Sequence, residues 1–344
     1  MDKKRLEISD LGEFGLIDRI ATNFDLKNRS SIKGIGDDAA VIDVGDDYLL
    51  VSTDVLVEGI HFDLAYTPLH HLGYKAVSVN VSDIAAMNGK TEQITVSIAL
   101  SNRFSVDAVD ALYEGIKAAC DSFTVDLVGG DTTSSRAGLM ISITAIGRIK
   151  KDKVAYRSGA KPNDIICVTG DLGGSFLGLQ ILEREKEVYL SNPEMQPEIE
   201  KYEYMVGRLL KTEARTDIVS DLADAGVVPT AMIDISDGLA SELFHISKAS
   251  NVGIHIFEDK IPIDHQTYDA AIEFKLDPIT CALNGGEDYE LLFTIAQADY
   301  EKLKNHADIH MIGYTNDKPT EKIMVSKQGT VVPLRAQGWN HFNG

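Results

Sequence analysis

The chain has 344 residues, 44% of them hydrophobic and 25% charged, which describes a globular protein longer than one typical core, so two domains are expected. With 33 Lys plus Arg against 53 Asp plus Glu the net charge is −20, and with no segregated basic run a nucleic-acid partner is excluded. The N-terminus lacks the apolar core of a signal peptide, no run of about 18 apolar residues could span a membrane, and Cys120, Cys167 and Cys281 are widely spaced; a cytoplasmic protein with reduced thiols and no membrane partner is expected.

Leu11, Phe14, Ile17 and Ile20 recur every three residues after Ser9 and Asp10, with Glu13 three beyond Asp10, which predicts a capped amphipathic helix. From Ala39 to Asp54 two apolar runs flank Gly45, Asp46 and Asp47, a hairpin signal. A turn centred near Asp46 sets Asp38 opposite Asp54 at the open end, beside Asp37 and the Ser52 and Thr53 hydroxyls. Facing carboxylates are unfavourable without a cation between them, and hard oxygens at this density, without Cys or clustered His, suit Mg²⁺. An acidic turn rim on an acidic protein is the plain alternative. His61 lies seven residues beyond Asp54, as a ligand or as an ordinary surface residue.

Thr67 and Pro68 start a helix that runs to Asn88 and Gly89. Its apolar stripe, Leu72, Ala76 and Val79, continues to Asp83. A carboxylate on a buried face needs a partner, so Asp83 either joins the same metal cluster or pairs with Lys75 or a backbone donor. Gly89-Lys90-Thr91 is not a P-loop, because Ile84 stands where its first glycine belongs and a strand follows; no G-x-G-x-x-G occurs either. A helix over 105–119 precedes a strand over 125–128, which ends in Gly129-Gly130-Asp131-Thr132-Thr133, glycines that let backbone approach a phosphate while Asp131 reaches a metal. With a strand over 139–146 the first half, residues 1–150, reads as α+β.

The polar stretch 150–164 marks the boundary to a second domain, residues 151–344, read as α/β. A buried strand, Ile165 to Thr169, a glycine turn and a helix through Leu182 suit either an anion or packing. The charged, proline-punctuated segment from Glu183 to Tyr204 reads as a mobile surface excursion. Asp234 and Ser236 alternate along a strand so as to share one face, Asp237 opens the next helix, and Gly285-Gly286-Glu287-Asp288-Tyr289-Glu290 repeats the glycine and carboxylate theme before another strand. His306 and His310 make no zinc site. Trp339, the single tryptophan, stands in a polar tail, either as a functional residue or docked onto the core.

As an ordered set, Gly34-Ile35-Gly36-Asp37-Asp38-Ala39, Ser52-Thr53-Asp54, Asn80-Val81-Ser82-Asp83-Ile84-Ala85-Ala86-Met87, Gly129-Gly130-Asp131-Thr132-Thr133, Arg157-Ser158-Gly159-Ala160-Lys161-Pro162, Ile233-Asp234-Ile235-Ser236-Asp237-Gly238-Leu239 and Gly285-Gly286-Glu287-Asp288-Tyr289-Glu290-Leu291 resemble the thiamine-monophosphate kinase family, in the aminoimidazole ribonucleotide synthetase superfamily. The resemblance spans nearly the whole chain. It implies an N-terminal α+β domain that forms a homodimer through a shared β-barrel, an α/β domain behind it, and transfer of the ATP γ-phosphoryl group to thiamine monophosphate, the final step of thiamine diphosphate biosynthesis.

Carried over by position, the resemblance puts several Mg²⁺ on Asp38, Ser52, Thr53, Asp54, Asp83, Asp131, Asp234 and Asp237, and assigns the chemistry to Asp54, Asp83, Asp131 and Asp234. It puts ATP on Tyr113, Gly130, Asp131, Arg157 and Ser236, and thiamine monophosphate on His61, Glu287 and Trp339. The attacking phosphate monoester, with a second pKa of about 6, is already anionic. No strong base is then needed, and the obstacle is repulsion between two polyanions. Among sister enzymes, a selenophosphate synthetase would show a Cys near the N-terminal glycine loop and a hydrogenase-maturation relative would end in one; this chain does neither, which leaves aminoimidazole ribonucleotide synthetase as the nearest alternative. An acidic calcium-binding or interaction protein is the non-enzymatic one.

Overall fold

The structure is a computed structural model and describes residues 7–336. After a single turn, Ile8–Asp10, the first half comprises α1 (Gly12–Ala21), β1 (Ser31–Lys33), β2 (Ala40–Asp43), β3 (Asp47–Val57), α2 (Leu69–Ala86), β4 (Lys90–Leu100), α3 (Val106–Phe123), β5 (Asp126–Ser134) and β6 (Met140–Lys150). Its strands form one mixed sheet in the order β1-β2-β3-β6-β4-β5. All pairs are antiparallel except β4 with β5, which are joined by α3 as a crossover. Alternation puts Leu50, Ile94, Val96, Ile141 and Ile143 on the face that packs against α2 and α3. On the other face Val55 and Met140 stay exposed. The sheet is open, and no closed barrel occurs among the described residues.

The second half comprises β7 (Ile165–Thr169), α4 (Gly174–Ser191), α5 (Glu203–Leu210), α6 (Thr216–Asp224), β8 (Ala231–Asp234), α7 (Leu239–Ser250), β9 (Gly253–Phe257), α8 (His265–Glu273), α9 (Pro278–Asn284), β10 (Leu291–Ile295), α10 (Tyr300–Leu303), β11 (Ile309–Asn316), β12 (Lys322–Val325) and β13 (Val331–Pro333). Its mixed sheet runs β13-β12-β9-β11-β7-β10-β8. One face, with Val168, Ile233 and Ile254, buries the apolar stripe of α7. The other, with Cys167, Met232 and Phe293, packs against α6 and the end of α2. No described helix is long and apolar enough to cross a membrane.

Helix α2 ties the halves together. It packs on β3, β6 and α3 of its own half and on β8 and α6 of the other, which explains why it is buried almost all round. Its approach to α3 needs glycine on both helices. A Cβ on Gly73 would lie 2.1 Å from the Leu112 carbonyl oxygen, and one on Gly115 would lie 1.8 Å from that of His70.

Several sequence expectations change. The β2–β3 register pairs Ala40 with Val51 and Asp43 with Tyr48, so the turn is centred half a residue earlier than Asp46. Continued outward, that register sets Asp38 opposite Thr53 and not opposite Asp54. Strand β3 also runs past Asp54 to Val57, because β6 pairs with it throughout. Gly129 to Thr133 lie inside β5 and not beyond a strand end. A Cβ on Gly130 would sit 1.8 Å from the Val96 carbonyl oxygen, so that glycine serves close strand pairing. The first helix starts at Gly12 and buries no residue in a core. Half of the segment from Glu183 to Tyr204 is the rest of α4 and the start of α5, with Glu185 and Tyr202 buried. Strand β8 stops at Asp234, so Ser236 belongs to the bend before α7 and shares no strand face with it.

Candidate active site

A cavity of about 1510 Å³ opens between the two halves, larger than the few hundred to about 1,000 Å³ usual for one small ligand. Asp38, Ser52, Asp54 and Asp83 reach it from the first half, and Arg157, Asp234, Ser236, Asp237 and Glu287 from beyond residue 150; His61 lines it too. The α2 stripe that the sequence showed passing through Val79 to Asp83 forms part of its wall. Lys75, one further step of four back, lies on the same line. About 12 Å of helix therefore separates a cation at one end from a carboxylate at the other.

At the carboxylate end, oxygens of Asp38, Asp83 and Asp234 lie within 4.8 Å of one another. Each is held by a different element. Arg157 donates from Nη2 and Nε to Asp38 Oδ1 at 2.7 and 3.2 Å. Ser52 donates to Asp83, and Ser82 donates to Asp234 Oδ2 at 2.6 Å. Asp54 is oriented through its backbone, whose N–H donates to Asn80 Oδ1 at 3.0 Å. Asp38 Oδ2 is buried with no partner.

Burial and mutual repulsion disturb these groups. Burial pushes Asp38 up to about 7 despite Arg157 beside it. Asp54 and Asp234 rise to about 6, again mainly by burial, and Asp83 is pushed well up by burial and by the charges of Asp54, Asp234 and Asp38. Such a set is short of positive charge. Hard carboxylate and hydroxyl oxygens with one orphaned buried lone pair fit Mg²⁺. Asp83 does not pair with Lys75, as one sequence alternative had it; Lys75 instead grips Glu287 and donates to the Leu209 carbonyl at 3.2 Å.

The remaining candidates divide. His61 Nδ1 accepts from the Val57 N–H at 3.0 Å, so in neutral His61 the proton sits on Nε2. Thr53 donates to the Ile143 carbonyl at 3.0 Å and meets Thr144, so its hydroxyl is turned towards β6. Tyr113, Gly130 and Asp131 form a separate depression at the β5 edge. Gly130 lies in the row Asp54, Ile143, Val96, three strands or about 14 Å from Asp54. Trp339 lies outside the described residues.

Sequence reasoning gave no site role to Tyr289 or Glu242 and weighed Lys75 only as a partner for Asp83. Lys75 carried a signal, its spacing of four from Val79 and eight from Asp83. Glu242, buried and with its carboxyl pushed well above the usual range by burial, accepts the Asp237 N–H at 2.9 Å. It fixes the bend that presents Asp237.

Two mixed sheets clasping a carboxylate-lined cleft define a class that comparison identifies. The family models "AIR synthase related protein, N-terminal domain" and "AIR synthase related protein, C-terminal domain" match residues 36–149 and 161–326, and the chain belongs to that family. Within it the similarity is to thiamine-monophosphate kinases. The Bacillus subtilis enzyme of that name is 37% identical over 96% of this chain and 100% of its own. That of Aquifex aeolicus is 34% identical over 98% and 100%. A solved structure described as AaThiL complexed with AMPPCP and TMP superposes with a TM-score of 0.84 at 32% identity, covering 99% of this chain and all of that one. The chain is a member of the thiamine-monophosphate kinase family, and so a phosphotransferase.

Proposed function

We propose that the cavity phosphorylates thiamine monophosphate with ATP, giving thiamine diphosphate and ADP by direct in-line transfer. The carrying observation is the cluster of Asp38, Asp83 and Asp234, three carboxylates from three elements within 4.8 Å and one of them with an unpartnered buried oxygen. The related structure with AMPPCP and TMP supports the same pair of substrates. Bound Mg²⁺ would neutralise the two approaching polyanions. Asp38, Ser52, Asp54, Asp83, Asp234 and Asp237 would hold it, with Thr53 in support.

The chain's own groups set which substrate lies at which end of the cavity. Arg157, tied to Asp38, supplies a fixed positive charge on the nucleotide side with Ser236. His61 and Glu287 receive the acceptor, and Trp339 is assigned to its thiazolium ring, since a cation over an indole face contributes up to about 2 kcal/mol. Lys75 pairs with Glu287 in the wall. The acceptor phosphate is its own nucleophile, so no residue removes a proton.

Tyr113, Gly130 and Asp131 bind nucleotide and metal for the other subunit of a homodimer. Within one chain they are too far from Asp54, while the exposed Val55, Val128 and Met140 mark a sheet face and edge suited to a second copy and to a shared barrel. Mixing Asp54→Asn and Asp131→Asn subunits should restore up to about one quarter of wild-type turnover, because one site per mixed dimer is then intact and half of the dimers are mixed. Inactive mixtures of proteins that exchange subunits would remove Asp131 from the shared site. For the reaction itself, purified protein with Mg-ATP should release ADP when given thiamine monophosphate, with matching thiamine diphosphate. Release with formylglycinamidine ribonucleotide instead would move the chain to the purine branch.

A further inference from the structure

The stretch between α9 and β10 is divided residue by residue between the protein and the cavity. Asp288 and Glu290 point into the core. Asp288 accepts the Gly173 N–H at 2.9 Å, and Glu290 takes Arg208 at 3.0 Å, Arg215 at 2.6 Å and the Thr169 hydroxyl at 2.5 Å. Glu287 and Tyr289 line the cavity. Gly286, Glu287 and Tyr289 all have left-handed backbone, φ 70°, 63° and 51°, a conformation non-glycine residues adopt only where the surroundings impose it. The N–H groups of Glu287 and Tyr289 donate to the Ser236 and Ile235 carbonyls at 2.7 and 2.8 Å, which ties the segment to the end of the strand carrying Asp234.

Tyr289 is only 8% exposed, and buried phenols normally find a hydrogen-bond partner. Among the described residues none donates to its hydroxyl or accepts from it, and that oxygen is not among the fully enclosed orphans, so it opens on the cavity. Burial and the charges of Glu287, Asp54, Asp234 and Asp83 keep the phenol protonated, so groups of both the Glu287 end and the metal-binding end act on it. A neutral donor there has one fitting partner, an anionic oxygen of a ligand that spans both ends.

On the reading of the cavity as a thiamine-monophosphate kinase site, we propose that Tyr289 is a further catalytic residue whose hydroxyl donates a hydrogen bond to the phosphate of the acceptor. The phenol keeps its proton. One acceptor oxygen forms the new P–O bond as the bond from the γ-phosphorus to the β-bridging oxygen breaks, and ADP leaves with that electron pair. The hydrogen bond holds the acceptor phosphate in line.

The test is Tyr289→Phe, which keeps the ring and removes the donor. Affinity for thiamine monophosphate and kcat/KM for it should fall about tenfold to a hundredfold, as for a lost hydrogen bond to a charged group. Binding of unphosphorylated thiamine and KM for ATP should stay within about twofold, and the melting temperature should be unchanged. Equal losses for thiamine and its monophosphate would make Tyr289 a packing residue and overturn the proposal, as would unchanged kinetics. Wild-type protein that neither binds nor turns over thiamine monophosphate would overturn the underlying reading first, and is distinguished by needing no variant.

Discussion

Asp54→Asn lowers turnover by about three orders of magnitude or more, the scale on which preorganised electrostatic and metal-assisted stabilisation acts, and leaves the fold intact. Asn is isosteric with Asp, and the backbone N–H that fixes position 54 on Asn80 is untouched. The charge removed sits among like charges, for burial first and then Asp38 and Glu287 push the Asp54 carboxyl upward. Its loss therefore relieves repulsion in the metal-free protein, whose melting temperature at neutral pH should equal or exceed that of wild type. The same loss weakens divalent-metal binding and the alignment of the two phosphates. Steady-state kinetics at saturating Mg-ATP beside a thermal melt in chelator decides it: near wild-type turnover would remove Asp54 from the metal site, and a collapsed melt would make it structural.

Whether the sequence could reveal a residue depended on how locally its role is set. The ends of α2 followed from Pro68 and from Asn88, which adopts a left-handed backbone at φ 59°, and a carboxylate on that helix's buried stripe announced Asp83. The hairpin was visible but its register was not. Turn composition locates a reversal only to within a residue, and one residue decides which side chains face each other. The Gly129-Gly130 pair was ambiguous for a similar reason: two glycines mark a close approach without saying whether a phosphate or a neighbouring strand approaches, and at Gly130 the neighbouring strand does. Lys75 and Tyr289 acquire their meaning from partners far along the chain, since the Lys75–Glu287 pair spans 212 residues. The open sheet face with exposed Val55 and Met140 is likewise a property of the folded sheet, and composition alone says nothing of it.

Removing divalent metal abolishes turnover, and the stability that Mg²⁺ confers grows with pH. In the metal-free protein Asp38 is pushed up to about 7, and Asp54 and Asp234 to about 6, above the roughly 3.9 of an unfolded Asp. Between about pH 4 and 7 the folded chain then holds more protons than the unfolded one. The contribution of these groups is fully present below pH 4 and is lost as pH rises to 7. A metal bound by the same oxygens needs them deprotonated, so its affinity moves the other way. Melting curves with and without millimolar Mg²⁺ should accordingly separate more widely at pH 8 than at pH 5.5, with the metal-free curve falling as pH rises through that interval. In wild type the gap follows the ionisation of several coupled carboxylates, and in Asp54→Asn it should narrow at every pH because one of them is gone. A gap of equal size at both pH values, or ADP formation undiminished in chelator, would mean that the carboxylates meet for some purpose other than holding metal.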